Sequence, residues 1–168
     1  MAGRTQTAKD GRWACPRGLA EEIPMYHHIL IPTDGSPLAG SAVEKGIALA
    51  KSLGAKVTVL TVVEPFPVLR GLPQSYNAPD EYTRRAHAEA EPRLAEAEQQ
   101  AKQVGVPCEV VKVEHGQPYE AIIETAGARG CDLIAMASHG RRGISALLLG
   151  SETMKVLTHS KLPVLIYR

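Results

Sequence analysis

HILIPTDGS, at residues 28–36, joins a strand signal to a helix signal through a turn. The run His28–Pro32 is short and apolar, as in strands that are buried on both faces. An Asp-Gly turn follows it, and Ser36 can cap a helix whose first residue is Pro37. This stretch therefore predicts a buried strand that leads directly into a helix.

Strand and helix signals continue to alternate to the end of the chain. The predicted strands are His28–Pro32, Lys56–Val63, Cys108–Glu114, Asp132–Ala137 and Pro163–Tyr167. The predicted helices are Pro37–Leu53, about Asp80–Val104, Pro118–Ala128 and about Ser151–His159, the last of them capped by Ser151. Pro92 lies inside the long second helix and predicts a kink or a delayed start. We interpret the charged face of that helix as solvated, with Ala and Leu side chains facing inward.

This alternation determines the fold class. Strands separated by helices at this spacing are joined by right-handed crossovers into a parallel sheet that is covered on both faces. The sequence predicts one α/β domain, a doubly wound five-stranded parallel sheet with helices on both faces. Such sheets bind ligands beyond the carboxyl ends of the strands, where the strand order reverses. The loops after the first and fourth strands are therefore the expected site.

Composition limits the classes of function. The chain has 168 residues, 44% of them hydrophobic, which suits one domain with a core. Lys and Arg total 19 against 18 Asp and Glu, so no overall field attracts nucleic acid or an anionic membrane. No apolar run approaches the ~18 residues of a spanning helix. The three cysteines are odd in number and form no CxxC pair, which predicts reduced thiols and a cytoplasmic protein.

Residues 1–24 differ from the rest of the chain. They show no hydrophobic period and carry four basic residues, which predicts a poorly ordered extension. The segment is either a basic or transit-like tail or the result of a start codon assigned too early, with Met25 as the initiator. We favour the second interpretation because the acid-poor, Ser-rich pattern of a transit peptide is missing. The predicted domain then spans residues 25–168.

The loop after the fourth predicted strand combines glycines with a helix start. Gly140 is followed by nine residues, the first of which is Arg141, and then by Gly150 and Ser151. Glycine lets backbone N–H groups approach an anion, and a serine at a helix N-terminus adds a hydroxyl to the positive end of the helix dipole. The pattern indicates either a phosphate site or ordinary turn and cap glycines. The P-loop and GxGxxG motifs are both absent, so a bound nucleotide would be held by a different kind of loop.

Asp34 ends the first strand at the same edge of the predicted sheet. Its carboxylate could accept hydrogen bonds from ribose hydroxyls or help to hold Mg²⁺ on phosphate oxygens. It could equally be an Asx-turn residue that starts the first helix. The edge that Asp34 shares with the glycine loop favours the functional role.

Other reactive side chains give weaker signals. His27 and His28 are neighbours on a strand and point to opposite faces, so they cannot share a metal ion. Cys131 directly precedes an apolar strand, which predicts a packed core thiol rather than a nucleophile. His139 lies in the glycine loop, where a role in loop orientation is favoured over a role as a base.

From Tyr26 to Arg168 the chain resembles a universal stress protein. The matching stretches are ILIPTDGS, LTVVEP, MASHG, LLLGSETMKVLTHS and PVLIYR. Nucleotide-binding members of that family carry G-x-x-G, nine residues, and then G-[ST]. Gly140, Gly150 and Ser151 match this pattern, whereas its first glycine is Ala137 here. The resemblance implies a Rossmann-like fold of the adenine nucleotide alpha hydrolase type, with ATP, together with Mg²⁺, as the ligand.

The resemblance also implies roles for individual residues. Adenosine would be lined by Pro32, Thr33 and Asp34, with Val62 meeting adenine through its backbone and Met136 packing on the nucleoside. The phosphates would be held by Gly140, Arg141, Gly150 and Ser151. A homodimer would form through the last strand, where Val164, Leu165 and Ile166 would otherwise leave an apolar edge open.

Three functions agree with these observations. The first is a stress-response regulator that changes its surface or its partners when it binds ATP. The second is a slow ATP hydrolase, although the sequence offers no Walker-type lysine and no clear general base. The third is a nucleotide-free dimeric adaptor, an alternative that Ala137 keeps open.

Overall fold

The computed structural model of the protein describes residues 25–66, 78–140 and 149–168. The strands are β1 (His28–Pro32), β2 (Lys56–Val63), β3 (Cys108–Glu114), β4 (Leu133–Ala137) and β5 (Val164–Tyr167). The helices are α1 (Pro37–Leu53), α2 (Ala78–Val104), α3 (Pro118–Ala128) and α4 (Ser151–His159). The predictions for residues 1–24 and for Arg141 lie outside the described residues.

The five strands form one parallel sheet in the order β3-β2-β1-β4-β5. The chain builds one half of the sheet from β1 to β3 and then places β4 and β5 on the other side of β1. The strand order therefore reverses between β1 and β4. This topology confirms the predicted doubly wound α/β fold.

Helices cover both faces because the side chains of the central strand alternate in direction. Ile29 and Ile31 of β1 are buried against α1 and α2, whereas Leu30 is buried against α3 and α4. The residues that α2 contributes to this core are Leu94, Ala97 and Ala101, as predicted for its inner face. No helix among the described residues is long and apolar enough to cross a membrane.

Local signals place most element ends correctly. The Ser36 side chain accepts a hydrogen bond from the Ala39 N–H at 3.2 Å and caps α1, which Gly54 ends in the left-handed conformation. The prediction of a delayed α2 start at Pro92 is wrong, because the helix begins at Ala78. Pro92 lies on the exposed face of α2, where water can reach the backbone carbonyl that its missing N–H leaves without a helical partner.

Three boundaries in the last third of the chain differ by one residue from the prediction. Gly150 is the N-cap of α4, so the predicted Ser151 cap is wrong and Ser151 is the first helical residue. Asp132 directly precedes β4, and its carboxylate accepts hydrogen bonds from the His27 and His28 N–H groups. Pro163 precedes β5, and its carbonyl accepts from Ile134 at 3.0 Å.

His28 makes the stability of this fold dependent on pH. Its ring is 3% exposed, and Nε2 lies 2.7 Å from the Thr58 Oγ1. Burial lowers the ring pKa from 6.5, and the charge of Lys56 lowers it further. Below about pH 6.5 the unfolded chain therefore binds more protons than the folded chain, and folding stability falls as the pH falls.

We expect His28→Gln, which cannot titrate, to reduce this loss of stability in acid. Urea unfolding at about pH 8 and about pH 5.5 measures the loss in both proteins. His159→Gln, which removes an exposed histidine of α4, is the control and should lose as much stability as the wild type. An equal loss in His28→Gln and the wild type would contradict the role of His28.

Candidate functional site

An open cleft of about 590 Å³ lies beyond the carboxyl ends of the strands, at the reversal between β1 and β4. Its volume is within the range of small-molecule sites. The loops after β1, β2 and β4, the first turns of α3 and α4, and one face of α2 line it. Eight of the nine predicted nucleotide-binding residues line it: Pro32, Thr33, Asp34, Val62, Met136, Gly140, Gly150 and Ser151. The ninth is Arg141, which lies outside the described residues.

The turn after β1 is fixed by its own hydrogen bonds. The Thr33 N–H donates to the Leu60 carbonyl at 2.8 Å, which continues the pairing with β2 beyond the end of β1. The Thr33 Oγ1 accepts from the Gly35 N–H at 3.2 Å. The Asp34 Oδ1 accepts from the Ser36 N–H at 3.0 Å, so Asp34 forms the Asx turn that the sequence offered as its alternative role. Asp34 therefore has a fixed orientation at the edge of the cleft.

The other carboxylate oxygen of Asp34 faces the glycine loop. A Cβ added to Gly140 would lie 2.4 Å from the Asp34 Oδ2, closer than any ordinary contact. Gly140 is thus a glycine because the loop after β4 passes directly against the Asp34 carboxylate. The two loops that the topology predicted to be neighbours are in contact at these two residues.

The far end of the glycine loop is also tightly packed. The Gly150 N–H donates to the Ser138 carbonyl at 2.8 Å, and a Cβ on Gly150 would lie 3.2 Å from the His139 Cα. The Thr153 Oγ1 donates to the Ala137 carbonyl at 3.1 Å. These contacts hold the N-terminus of α4, the positive end of its dipole, beside the end of β4.

Glu152 connects the start of α4 to α3. Gln117, the N-cap of α3, forms no side-chain cap, and the Glu152 Oε2 instead accepts from the Tyr119 N–H at 3.0 Å. The Glu152 Oε1 accepts from the Lys155 Nζ at 2.8 Å. The first turns of both helices line the cleft, so this carboxylate holds two of its walls together.

One wall of the cleft, contributed by α2, was not predicted from the sequence. The side chains of this wall are Tyr82, Arg85, Ala86, Glu89 and Arg93. The face that we interpreted as wholly solvated is therefore partly turned toward the cleft. Arg85, Glu89 and Arg93 are spaced four residues apart and so share a helix face, but a fully solvated face has the same spacing.

Cys131 lies in the core and does not line the cleft. Cys131 is buried in the core on the α3 and α4 face, and burial raises the pKa of its thiol to about 11. The prediction of a packed thiol is confirmed. No group of three His, Cys, Asp or Glu side chains among residues 25–66, 78–140 and 149–168 could hold a metal ion. Any Mg²⁺ at Asp34 would thus depend on ligand oxygens as well.

Comparison with known proteins accounts for this combination of topology and site. The model of the universal stress protein family matches residues 25–168. The chain is a member of the universal stress protein family. A universal stress protein of Thermus aquaticus is 35% identical over 144 residues, which cover 86% of this chain and 100% of that relative. The resemblance stated from the sequence is confirmed.

Solved structures of universal stress proteins share the fold. The Methanocaldococcus jannaschii protein MJ0577 is 29% identical with a TM-score of 0.69, covering 84% of this chain and 95% of its own. A universal stress protein solved in complex with cAMP is 28% identical with a TM-score of 0.64, covering 86% of this chain and 98% of its own. At least one related structure therefore holds an adenine nucleotide.

Proposed function

We propose that this universal stress protein binds an adenine nucleotide, ATP with Mg²⁺, in the cleft and acts as a regulator in the stress response. The contact between Asp34 and Gly140 carries the proposal. It joins the turn after β1 to the glycine loop where the strand order reverses, which is where open α/β sheets bind ligands. The related protein in complex with cAMP supports an adenine nucleotide as the ligand class.

Each end of the cleft suits a different part of the nucleotide. Val62 and Met136, beside Thr33, provide an apolar floor for the nucleoside. Gly140 and the N-terminus of α4 provide backbone N–H groups and a positive dipole end for phosphates. Arg141 is proposed to add a charge there.

Mg²⁺ fits the charge balance of the described cleft. The carboxylates that line it are Asp34, Glu64, Glu89 and Glu152, and its arginines are Arg85 and Arg93. A bare polyphosphate would be repelled by whichever of these carboxylates it came close to. A divalent cation bound to the phosphate oxygens would reduce this repulsion, with Asp34 as the proposed protein group nearest to it.

Ala137 favours nucleotide binding over the adaptor function. Its methyl group is buried and packs with Ala39 and Ala42 of α1. The alanine that replaces the first motif glycine is therefore accommodated by α1, while the later glycines keep their close contacts with Asp34 and His139. This packing supports nucleotide binding over the adaptor function that Ala137 kept open.

The test begins with the full chain purified without added nucleotide. Chromatography of a denatured sample identifies any bound nucleotide, and calorimetry with ATP, with and without Mg²⁺, measures affinity. We expect ATP to bind more tightly with Mg²⁺ and to be turned over slowly or not at all. Steady phosphate release would support the hydrolase, whereas no bound nucleotide and no binding heat would exclude the proposed ligand.

A homodimer through β5 is part of the same proposal. β5 is an edge strand, and Leu165, 36% exposed, is its most accessible apolar residue. Val164 and Ile166 pack instead against the core beneath α3 and α4. An edge strand with an exposed leucine is suited to pairing with a second copy. The cytoplasm remains the proposed compartment, which the free thiols of Cys108 and Cys131 support.

We expect Leu165→Glu to convert a dimer into a monomer, because it places like charges opposite each other across the paired strands. Sedimentation equilibrium gives the mass of the wild type and the variant. Val104→Glu is the control, since Val104 is similarly exposed but lies at the end of α2. A monomeric wild type, or a dimeric Leu165→Glu, would refute this interface.

A further inference from the structure

Arg93 extends from α2 onto the turn that follows β1. A Cβ added to Gly35 would lie 2.3 Å from the Arg93 Nε and 2.5 Å from its Cδ. Gly35 has a φ of 79°, in the left-handed region that favours glycine. Glycine is therefore favoured at position 35 for two reasons. Its backbone is in the left-handed region, and an arginine side chain lies directly on that backbone.

The guanidinium of Arg93 is held in place rather than extended into solvent. Its Nη2 donates to the Glu89 Oε2 at 3.3 Å, one helical turn earlier, and the side chain is 24% exposed. A guanidinium has five N–H donors in a rigid plane and stays charged at every physiological pH. The contact with Glu89 orients this plane while Arg93 still lines the cleft.

The position of Arg93 relates it to the glycine loop. The Arg93 side chain lies on Gly35. Asp34 directly precedes Gly35 in the chain, and its carboxylate contacts Gly140. Positive charge therefore approaches this edge of the cleft from two sides. One source is the N-terminus of α4, and the other is the α2 side chain that the family motif does not include.

We propose that Arg93 donates hydrogen bonds to a phosphate of the bound nucleotide and makes the cleft select phosphorylated adenine ligands over adenosine. This inference rests on the proposed function. Arginine suits the role because its planar donors match phosphate oxygens, and its charge is attractive only when the ligand carries phosphate. Glu89 acts through Arg93 as a positioning residue.

The test compares Arg93→Gln and Arg93→Lys with the wild type in the full chain. ATP binding is measured by calorimetry, and adenosine binding by competition against a fluorescent ATP analogue. We expect Arg93→Gln to weaken ATP binding about tenfold or more and to change adenosine binding less than about twofold. Arg93→Lys should recover part of the ATP affinity, because it restores the charge without the planar donors.

Arg84→Gln is the matched control, because it removes the same charge from an exposed position of α2 that does not line the cleft. ATP affinity should also depend less on salt in Arg93→Gln than in Arg84→Gln between about 0.05 and 0.3 M. Thermal unfolding of each variant reports whether the turn after β1 is still packed.

The outcomes separate this inference from the proposed function. Equal ATP affinities for the Arg93→Gln and Arg84→Gln variants would overturn the inference and leave the proposed nucleotide binding intact. An equal loss of ATP and adenosine affinity also overturns it, because a purely structural role would weaken both. A wild type that binds no adenine ligand overturns the proposed function, and the inference with it.

Discussion

Gly140→Val combined with Gly150→Val is expected to weaken ATP binding by about 100-fold or more. A loss of this size corresponds to the loss of several charge-assisted hydrogen bonds to the phosphates. A Cβ at position 140 would lie 2.4 Å from the Asp34 Oδ2, so the Asp34 carboxylate would have to move. A Cβ at position 150 would lie 3.2 Å from the His139 Cα, next to the hydrogen bond from the Gly150 N–H to the Ser138 carbonyl that holds the start of α4. Both changes push apart the loops that form the proposed phosphate end of the cleft. Calorimetric titration with Mg²⁺ and ATP measures the effect.

Two other glycines provide the control for this double variant. A Cβ on Gly40 or Gly127 would meet nothing within 4 Å, and both glycines lie in helices, α1 and α3. Gly40→Val with Gly127→Val should therefore retain ATP affinity. Sedimentation of both double variants shows whether the assembly state is kept. Unchanged ATP affinity in Gly140→Val with Gly150→Val would rule out the proposed phosphate site.

Leu30→Ala is expected to lower the free energy of unfolding by about 2–5 kcal/mol, because it leaves a cavity that the surrounding core fills only in part. Leu30 is 0% exposed and lies on β1, the central strand, between β2 and β4. Its side chain packs in the core formed with Ile122, Ile134 and Val156. Urea unfolding followed by circular dichroism measures the change.

Leu157→Ala makes the same chemical change at an exposed site. Leu157 is 39% exposed on α4, so its truncation should cost about 0.5 kcal/mol or less. Similar losses for Leu30→Ala and Leu157→Ala would mean that β1 is not the buried centre of the sheet.

The strands and most helix ends could be predicted because their signals are local. β1 is recognisable from HILIP, and α1 from the Ser36 cap, Pro37 and Gly54, all within the residues that form the element. The α4 cap was misplaced by one residue, because glycine and serine are both acceptable N-caps and only the backbone of the glycine loop selects Gly150.

The site could be predicted only in part. Parallel topology alone indicates that the loops after β1 and β4 meet, and so Asp34 and Gly140 could be predicted as neighbours. The α2 wall could not, because a helix with Ala and Leu on one side and charges on the other has the same pattern whether its flank meets water or a cleft. Arg93 is distinguished by its contact with Gly35, which depends on how α2 packs across the sheet.

The strand order also has a consequence for synthesis of the protein. The first half of the cleft, from Asp34 to the α2 wall, is synthesised before the glycine loop. Gly140 and the start of α4 lie near the carboxyl end of the chain, and β4 must insert beside β1, at the centre of the finished sheet. Until Ser151 has been synthesised, a nascent chain lacks one wall of the cleft, so the proposed nucleotide could assist only the last stage of folding.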